Sequence, residues 1–109
     1  MLTEKPVPVG AEVNKVWHVK IFNGTTAKEG NLHLTMQGTT LWINGKTRFD
    51  LQKLIEKIKK DPESVENEDT VFRDGSYLIV IEGIYGTEKN GKDEVGSIDA
   101  LLFELTGDK

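Results

Sequence analysis

The stretch LTMQGTTLWING, residues 34 to 45, predicts a β-hairpin that leaves a tryptophan on the solvent side of a sheet. Apolar residues alternate with other residues on both sides of a tight turn at Gly38–Thr39. Strict alternation is typical of a strand with one buried face. If the aliphatic residues of both strands share the core face, Trp42 lies on the opposite face, directly across from Thr35. The hairpin therefore indicates a sheet with an aromatic outer face.

The composition indicates one domain with a single modest core. The chain has 109 residues, of which 37% are hydrophobic and 29% are charged, and this balance is typical of globular proteins. Residues 1–12 contain two prolines and lack a signal-peptide pattern, so we expect a flexible arm there and one domain over residues 13–109. The absence of cysteine excludes disulfides and thiolate chemistry and favours a cytoplasmic protein. The net charge of −4 argues against a nucleic-acid partner, because counterion release needs clustered lysine and arginine, but a local basic face can lie on an acidic protein.

Periodicity along the chain predicts five strands and one helix. Alternation predicts strands at 13–22, 32–37, 40–44, 77–86 and 97–105, with a short extra strand near Val71–Phe72. Apolar residues at i, i+3, i+4 and i+7 from Leu51 predict an amphipathic helix. We expect Thr47 and Asp50 to cap its start and Pro62 to end it.

Turn residues predict how the second half of the chain is paired. Asp74–Gly75 and Asn90–Gly91 are typical of two-residue hairpins. The strand at 77–86 is apolar on both faces, which indicates a central position in a sheet. Gly83 interrupts it and predicts a bulge or bend.

The element order βββ-α-ββ predicts a mainly β fold with one helix. It is the order of the oligonucleotide/oligosaccharide-binding (OB) fold, a five-stranded, partly open Greek-key barrel. The alternative is an open α+β antiparallel sheet with the helix on one face.

Two segments of the chain resemble OB-fold single-stranded DNA-binding proteins of bacteria and phages. VNKVWHVKIFNG, residues 13–24, is similar to their first strand, and residues 74–105, from DGSYLIVIEG to DALLFEL, are similar to their last two strands and the loop between. The chain lacks the acidic tail tip and the long hairpin between the second and third strands that are common in that family. The resemblance implies a single-stranded DNA-binding barrel that assembles as an oligomer.

The predicted outer face of the first three strands carries the candidate nucleic-acid site. Symmetric closure of the hairpins predicts two cross-strand rows, His18–Thr35–Trp42 and Lys20–His33–Asn44. An indole beside cations and hydrogen-bonding groups can stack bases and contact phosphates. Further basic residues would extend the track from turns and loops: Lys15, Lys28, Lys46, Arg48, Lys89 and Lys92. The alternative is that Trp42 is covered by the arm, by a loop or by a second subunit.

No catalytic, metal or cofactor site is predicted. Glu82 falls opposite Asp99 if the last hairpin closes at Asn90–Gly91, but a one-residue change of register would separate the two carboxylates. The two histidines have no third metal ligand placed with them. We therefore expect a non-enzymatic binder of single-stranded nucleic acid. The alternative is a protein-interaction module, an inhibitor or complex subunit of possible phage origin, that uses the same face or the acidic stretch 61–69.

Overall fold

The computed structural model describes residues 12–22, 26–86 and 88–106. Residues 1–11, which make up nearly all of the predicted arm, lie outside them, and Glu12 already begins the first strand. The described residues form ten strands, one α-helix and two short 3₁₀ helices. The strands are β1 (Glu12–Phe22), β2 (Thr26–Glu29), β3 (Leu32–Gln37), β4 (Thr40–Ile43), β5 (Thr47–Asp50), β6 (Val71–Asp74), β7 (Tyr77–Tyr85), β8 (Glu88–Lys89), β9 (Lys92–Asp93) and β10 (Ser97–Thr106). Helix α1 spans Gln52–Lys60, and the 3₁₀ helices span Pro62–Ser64 and Asn67–Thr70.

The strands form two four-stranded antiparallel sheets. Sheet A has the order β1-β10-β7-β6, and sheet B has the order β2-β3-β4-β5. Strands β8 and β9 form a separate small hairpin. The prediction of a mainly β fold with one helix is confirmed.

The core lies between the inner faces of the two sheets. The inward residues of β3 and β4 are Leu34, Met36, Leu41 and Ile43, and all four are buried. They join one cluster with inward residues of sheet A such as Ile79 and Leu102. The hairpin at 34–45 thus has the predicted faces, and Thr35 pairs with Trp42 as predicted.

The described residues do not form a closed barrel. The edge strands approach each other on one side through β1 and β2 and on the other through β5 and β6. On the second side the backbone N–H of Arg48 lies 3.4 Å from Asp74 Oδ2. No ladder joins the two sheets among these residues, and this arrangement is compatible with the open antiparallel alternative.

The predicted pairing of the first strand with residues 32–37 is wrong. Strand β1 pairs with β10, which places His18 opposite Leu101 and Lys20 opposite Asp99. The physical reason is β2, which lies in a segment interpreted as a loop. Since β2 pairs with β3, it occupies the edge that β1 was expected to take.

Helix α1 follows β5 and closes part of the core. Its residues Leu54 and Ile55 are buried together with Leu51 at its start. The predicted Thr47–Asp50 cap is wrong because these residues form β5. Asp50 Oδ1 instead accepts a hydrogen bond from the Gln52 N–H at 3.0 Å, which satisfies one amide at the start of the helix.

The second half of the chain follows the predicted pattern closely. Strand β7 is central in sheet A, and β6 is the predicted short extra strand. The Asn90–Gly91 hairpin is confirmed by the pairing of Lys89 with Lys92. The β6–β7 turn lies one residue later than predicted, at Gly75–Ser76.

Candidate nucleic-acid interface

The outer face of sheet B presents a row of three side chains centred on Trp42. Trp42 pairs with Thr35 of β3 on one side and with Arg48 of β5 on the other. The Arg48 guanidinium carbon lies 5.7 Å from the centroid of the Trp42 ring, which is the distance of a cation–π contact. The indole is half-buried, and Arg48 is exposed.

A second group of polar residues lies on the same face at the neighbouring register. Lys28 of β2 pairs with His33 of β3, and both are exposed. The His33 backbone N–H donates to Asn44 Oδ1 at 2.8 Å, which fixes the turn after β4 against β3. Lys46 is exposed in the same turn. We call the set Lys28, His33, Thr35, Trp42, Lys46 and Arg48 the Trp42 face.

The Trp42 face arises from the local sequence of three short strands. In β5 only Phe49 is buried, so Arg48 must point outward. The same alternation places His33 and Thr35 outward in β3. The face carries the cations Lys28, Lys46 and Arg48, of which Arg48 contacts the aromatic ring. The carboxylates of Asp50 and Asp74 accept from the backbone N–H groups of Gln52 and Arg48.

His18 and Lys20 do not lie on the Trp42 face, which corrects the predicted rows. Both are exposed on the outer face of sheet A, because β1 belongs to that sheet. Lys20 Nζ lies 3.8 Å from Asp99 Oδ1, so its charge already has a carboxylate neighbour. The row Lys20–His33–Asn44 is therefore replaced by Lys28–His33, with Asn44 bonded to the His33 backbone.

Trp17, the second tryptophan, packs against the core as predicted for the inward face of β1. Lys15 Nζ lies 5.5 Å from its ring centroid. Lys15 thus contacts Trp17 and does not extend the track beside Trp42.

Lys89 and Lys92 lie in the β8–β9 hairpin, apart from both sheets. The adjacent Asp93 ties this hairpin to helix α1: its carboxylate accepts from Lys59 Nζ and from Gln52 Nε2, both at 2.6 Å. These bonds hold the pKa of Asp93 below its usual value, and the bond to Asp93 raises the pKa of Lys59. The hairpin is positioned by the helix, and Lys92 is exposed on it.

Lys28 lies in strand β2, although a loop position was predicted. The sequence did not predict this strand because the segment TAKE is short and contains no large apolar residue. The pairing of Lys28 with His33 is the contact that the sequence did not reveal.

The predicted Glu82–Asp99 pair is displaced by a bulge. Asp99 pairs with Gly83, Ala100 pairs with Ile81, and Glu82 is the extra residue between them. The predicted bulge near Gly83 is thus confirmed, and Asp99 faces Lys20 instead.

The acidic stretch 61–69 is folded back on itself and on helix α1. Asp69 accepts from Lys57 Nζ at 2.8 Å and from the Glu66 backbone N–H at 2.8 Å. Both bonds lower the pKa of Asp69, and the bond to Asp69 raises the pKa of Lys57. Asp61 accepts from the Glu63 backbone N–H at 3.2 Å. Some of the carboxylates in the stretch 61–69 are therefore already bonded within the chain.

Within the described ranges, no group of three or more His, Cys, Asp or Glu side chains could hold a metal ion. The same residues include no helix of the length and apolarity needed to cross a membrane. Comparison with protein-family models, with curated protein sequences and with solved structures finds no match to this chain. The geometry of the Trp42 face is therefore the basis for a candidate function.

Proposed function

We propose that the chain is a non-enzymatic binder of single-stranded nucleic acid and that the Trp42 face contacts the strand. The observation that carries this proposal is the Trp42 indole on the outer face of sheet B with the Arg48 guanidinium 5.7 Å from its ring centroid. Every nucleic-acid base has a π-face, and stacking on an aromatic side chain is worth roughly 1–3 kcal/mol per base. The planar guanidinium offers a second stacking surface.

The neighbouring residues suit the sugar–phosphate backbone. Arg48 supplies positive charge beside the ring, the exposed Lys28 and Lys46 supply more on the same face, and His33 and Thr35 supply hydrogen-bonding groups. The resemblance of residues 13–24 and 74–105 to single-stranded DNA-binding proteins favours the same function. Stacking of bases on the outer face of a sheet does not depend on a closed barrel.

The decisive experiment is a fluorescence-anisotropy titration with a labelled oligothymidine of about 15 nucleotides at low salt. We expect Trp42→Ala to weaken binding by about 5- to 150-fold, the equivalent of roughly 1–3 kcal/mol. Trp42→Phe retains a smaller aromatic ring, so its affinity should lie between that of Trp42→Ala and that of the unchanged chain. The matched control is Lys20→Ala, which removes an exposed cation from the other sheet and should leave the affinity unchanged.

Undetectable binding of the unchanged chain at low salt would overturn the proposal. Equal affinities of the Trp42→Ala variant and the unchanged chain would also overturn it, provided that both give the same circular dichroism spectrum. Equal losses in the Trp42→Ala and Lys20→Ala variants would show that binding is not confined to the Trp42 face.

A second candidate function is protein binding through the same face. Tryptophan and arginine are the residues most enriched at the energetic centres of protein interfaces, and here they are in contact. A second copy of the chain or another protein would then cover Trp42. In that case Trp42→Ala would dissolve a complex seen by size-exclusion chromatography, and oligonucleotide would have no effect on the complex.

A further inference from the structure

The outer face of sheet A carries a second apolar cluster, separate from the core between the two sheets. Its buried members, which we call the outer cluster, are Leu78, Val80, Phe103 and Leu105. The residues next to them in the chain, such as Ile79 and Leu102, belong to the core. Because successive side chains of a strand point to opposite faces, the outer cluster points away from sheet B.

The outer cluster is buried although it lies on the outer side of its sheet. Val80 is 0% exposed and Leu78 is 3% exposed. Side chains stand roughly perpendicular to a sheet, so neighbours in the same sheet flank a side chain but leave its tip open. Burial this complete therefore requires atoms above the face.

No element among the described residues lies over the outer cluster. The principal contacts of β7 and β10 are with each other, with β1 and β6 beside them in the sheet, and with the 3₁₀ helix Asn67–Thr70. This 3₁₀ helix lies on the core side of β7, because Asn67 and Thr70 line a cavity together with the core residues Leu54 and Ile81.

The side chains that border the outer cluster do not close it. Arg73 pairs with Leu78, but its Nε donates to the Gly75 carbonyl at 3.3 Å, which directs the side chain to the β6–β7 turn. Val16 pairs with Phe103 and is 49% exposed, so burial does not extend to the β1 edge of the face. The described residues therefore do not account for the burial of the outer cluster.

Of the segments outside the described ranges, one has large apolar side chains. Residues 23–25 are Asn-Gly-Thr, residue 87 is threonine, and residues 107–109 are Gly-Asp-Lys. Residues 1–11, MLTEKPVPVGA, contain four large apolar side chains: Met1, Leu2, Val7 and Val9.

Residues 1–11 join the sheet at the end where the outer cluster lies. Glu12 pairs with Thr106, next to Leu105, and the Leu105 N–H donates to the Ser76 carbonyl at 2.7 Å, just before β7 begins. Neighbouring strands lie about 4.8 Å apart, so β7 is about 10 Å from β1 across β10. Eleven extended residues can span about 36 Å, which is more than enough to cross the cluster.

The stretch PVPV, residues 6–9, favours packing through side chains over strand pairing. Proline has no N–H to donate to a ladder and keeps the backbone extended. Such a segment is suited to lie across the face of a sheet, with its valines as apolar contacts, and not to add a strand to the edge.

We propose that residues 1–11 dock on the outer face of sheet A and cover the outer cluster, with Val7 and Val9 as the main contacts. The proposal gives a fixed place to residues that the sequence predicts to be a flexible arm. It is independent of nucleic-acid binding, because the Trp42 face belongs to sheet B. Without this cover the outer cluster would be an exposed apolar patch of the kind that promotes association.

The test uses the full chain with a nitroxide on a single introduced cysteine, since the chain has no cysteine of its own. With the nitroxide at Lys5→Cys, we expect the strongest paramagnetic broadening at the amides of the outer cluster and the weakest at the amides of the Trp42 face. A nitroxide at Lys28→Cys, on the Trp42 face, is the matched control and should reverse this order.

The contact itself is tested with Val9→Asp, which places a charge against the apolar cluster. This change should abolish the selective broadening from position 5 and raise the fluorescence of added ANS several-fold, because ANS binds exposed apolar surface. Thr3→Asp introduces the same charge elsewhere in residues 1–11 and should leave both readouts unchanged.

Three outcomes would overturn the proposal. Weak, uniform broadening over both sheets from position 5 would show that residues 1–11 do not dock, and the strongest broadening on the Trp42 face would show that they cover the other sheet. The third is tested by mixing nitroxide-labelled chain without ¹⁵N and ¹⁵N-labelled chain without nitroxide. Broadening of the outer cluster in this mixture would show that a second copy supplies the cover.

Discussion

At the scale of single residues, Trp42 and Trp17 show how the same residue type serves two purposes. Both lie in alternating strands, and each has a basic side chain within 6 Å of its ring centroid. Trp17 faces inward and packs on the core, whereas Trp42 faces outward. Alternation in the sequence predicted both orientations, because the neighbouring aliphatic residues fix which face is buried.

The Trp17 environment gives a prediction about Gly30 in the β2–β3 turn. Gly30 has φ +62°, and a Cβ there would lie 2.7 Å from Trp17 Nε1. Gly30→Ala should therefore combine a left-handed backbone penalty of about 1–2 kcal/mol with an overpacking penalty of about 1–3 kcal/mol. The free energy of unfolding in urea measures the total.

The matched control for Gly30 is Gly45 in the β4–β5 turn, which has φ +73° and no atom within 4 Å of a built Cβ. Gly45→Ala should therefore lower the free energy of unfolding only by the left-handed backbone penalty. A loss of stability for Gly45→Ala as large as that for Gly30→Ala would show that the indole does not limit the space at Gly30.

At the scale of elements, helix α1 is held from inside by its apolar side chains. Ile55 is fully buried in the core between the sheets. Ile55→Ala should lower the free energy of unfolding by about 2–5 kcal/mol, because it removes buried methyl groups and leaves a cavity. Lys53→Ala on the exposed side of the same helix should change it by less than about 0.5 kcal/mol. Similar effects of the two changes in urea denaturation would contradict the placement of the helix.

The same helix is held from outside by two ion pairs whose stabilisation depends on pH. The pKa values of Asp69 and Asp93 are lowered from 3.8, so their contribution is present above that pH and is lost as the pH falls through the lower folded values. The pKa values of Lys57 and Lys59 are raised from 10.5, so their contribution is present below that pH and is lost as the pH rises through the higher folded values.

The stability difference between the unchanged chain and Asp93→Asn should therefore be constant from about pH 5 to pH 9 and shrink on both sides. Chemical denaturation across this range measures it. Asp61→Asn alters an exposed carboxylate that is bonded to a backbone N–H and has no lysine partner among the described residues, so it serves as a comparison. A difference that grows as the pH falls below 4 would contradict the assigned sign.

Local patterns predicted most elements but not their partners. The β3–β4 hairpin, the helix, and the Asn90–Gly91 turn follow from short-range periodicity and turn residues. Strands β2 and β5 were missed because each has four residues and few apolar ones. The pairing of β1 with β10 joins the first and the last of the described strands, and alternation specifies the face of a strand but not its neighbour.

Because alternation does not specify a strand's neighbour, only some of the predicted site residues lie together in the structure. Thr35, Trp42 and Arg48 come together because they belong to consecutive short strands. His18 and Lys20 were misplaced because their position depended on a long-range pairing. Lys28 joined the Trp42 face through a strand that the sequence pattern did not reveal.

At the scale of the whole molecule, a local basic face lies on a chain with a net charge of −4. Release of counterions gives a salt slope of about −0.7 for each phosphate contact on a single strand. With the three cations Lys28, Lys46 and Arg48 in contact, log K against log salt should have a slope of about −2.

Removing one of these cations tests how many phosphate contacts the Trp42 face makes. Lys46→Gln should reduce the magnitude of the slope by about 0.7, and Lys20→Gln should leave it unchanged. A slope near zero for the unchanged chain would show that phosphates do not contact the Trp42 face. Anisotropy titrations at several salt concentrations give these slopes.

The most direct measurement is a map of the amide chemical shifts of the ¹⁵N-labelled chain during titration with oligothymidine. We expect the largest shifts at the amides of Lys28, His33, Thr35, Trp42 and Arg48, and no shifts at the amides of His18 and Lys20. Shifts centred on the outer face of sheet A, or no shifts at low salt, would contradict it.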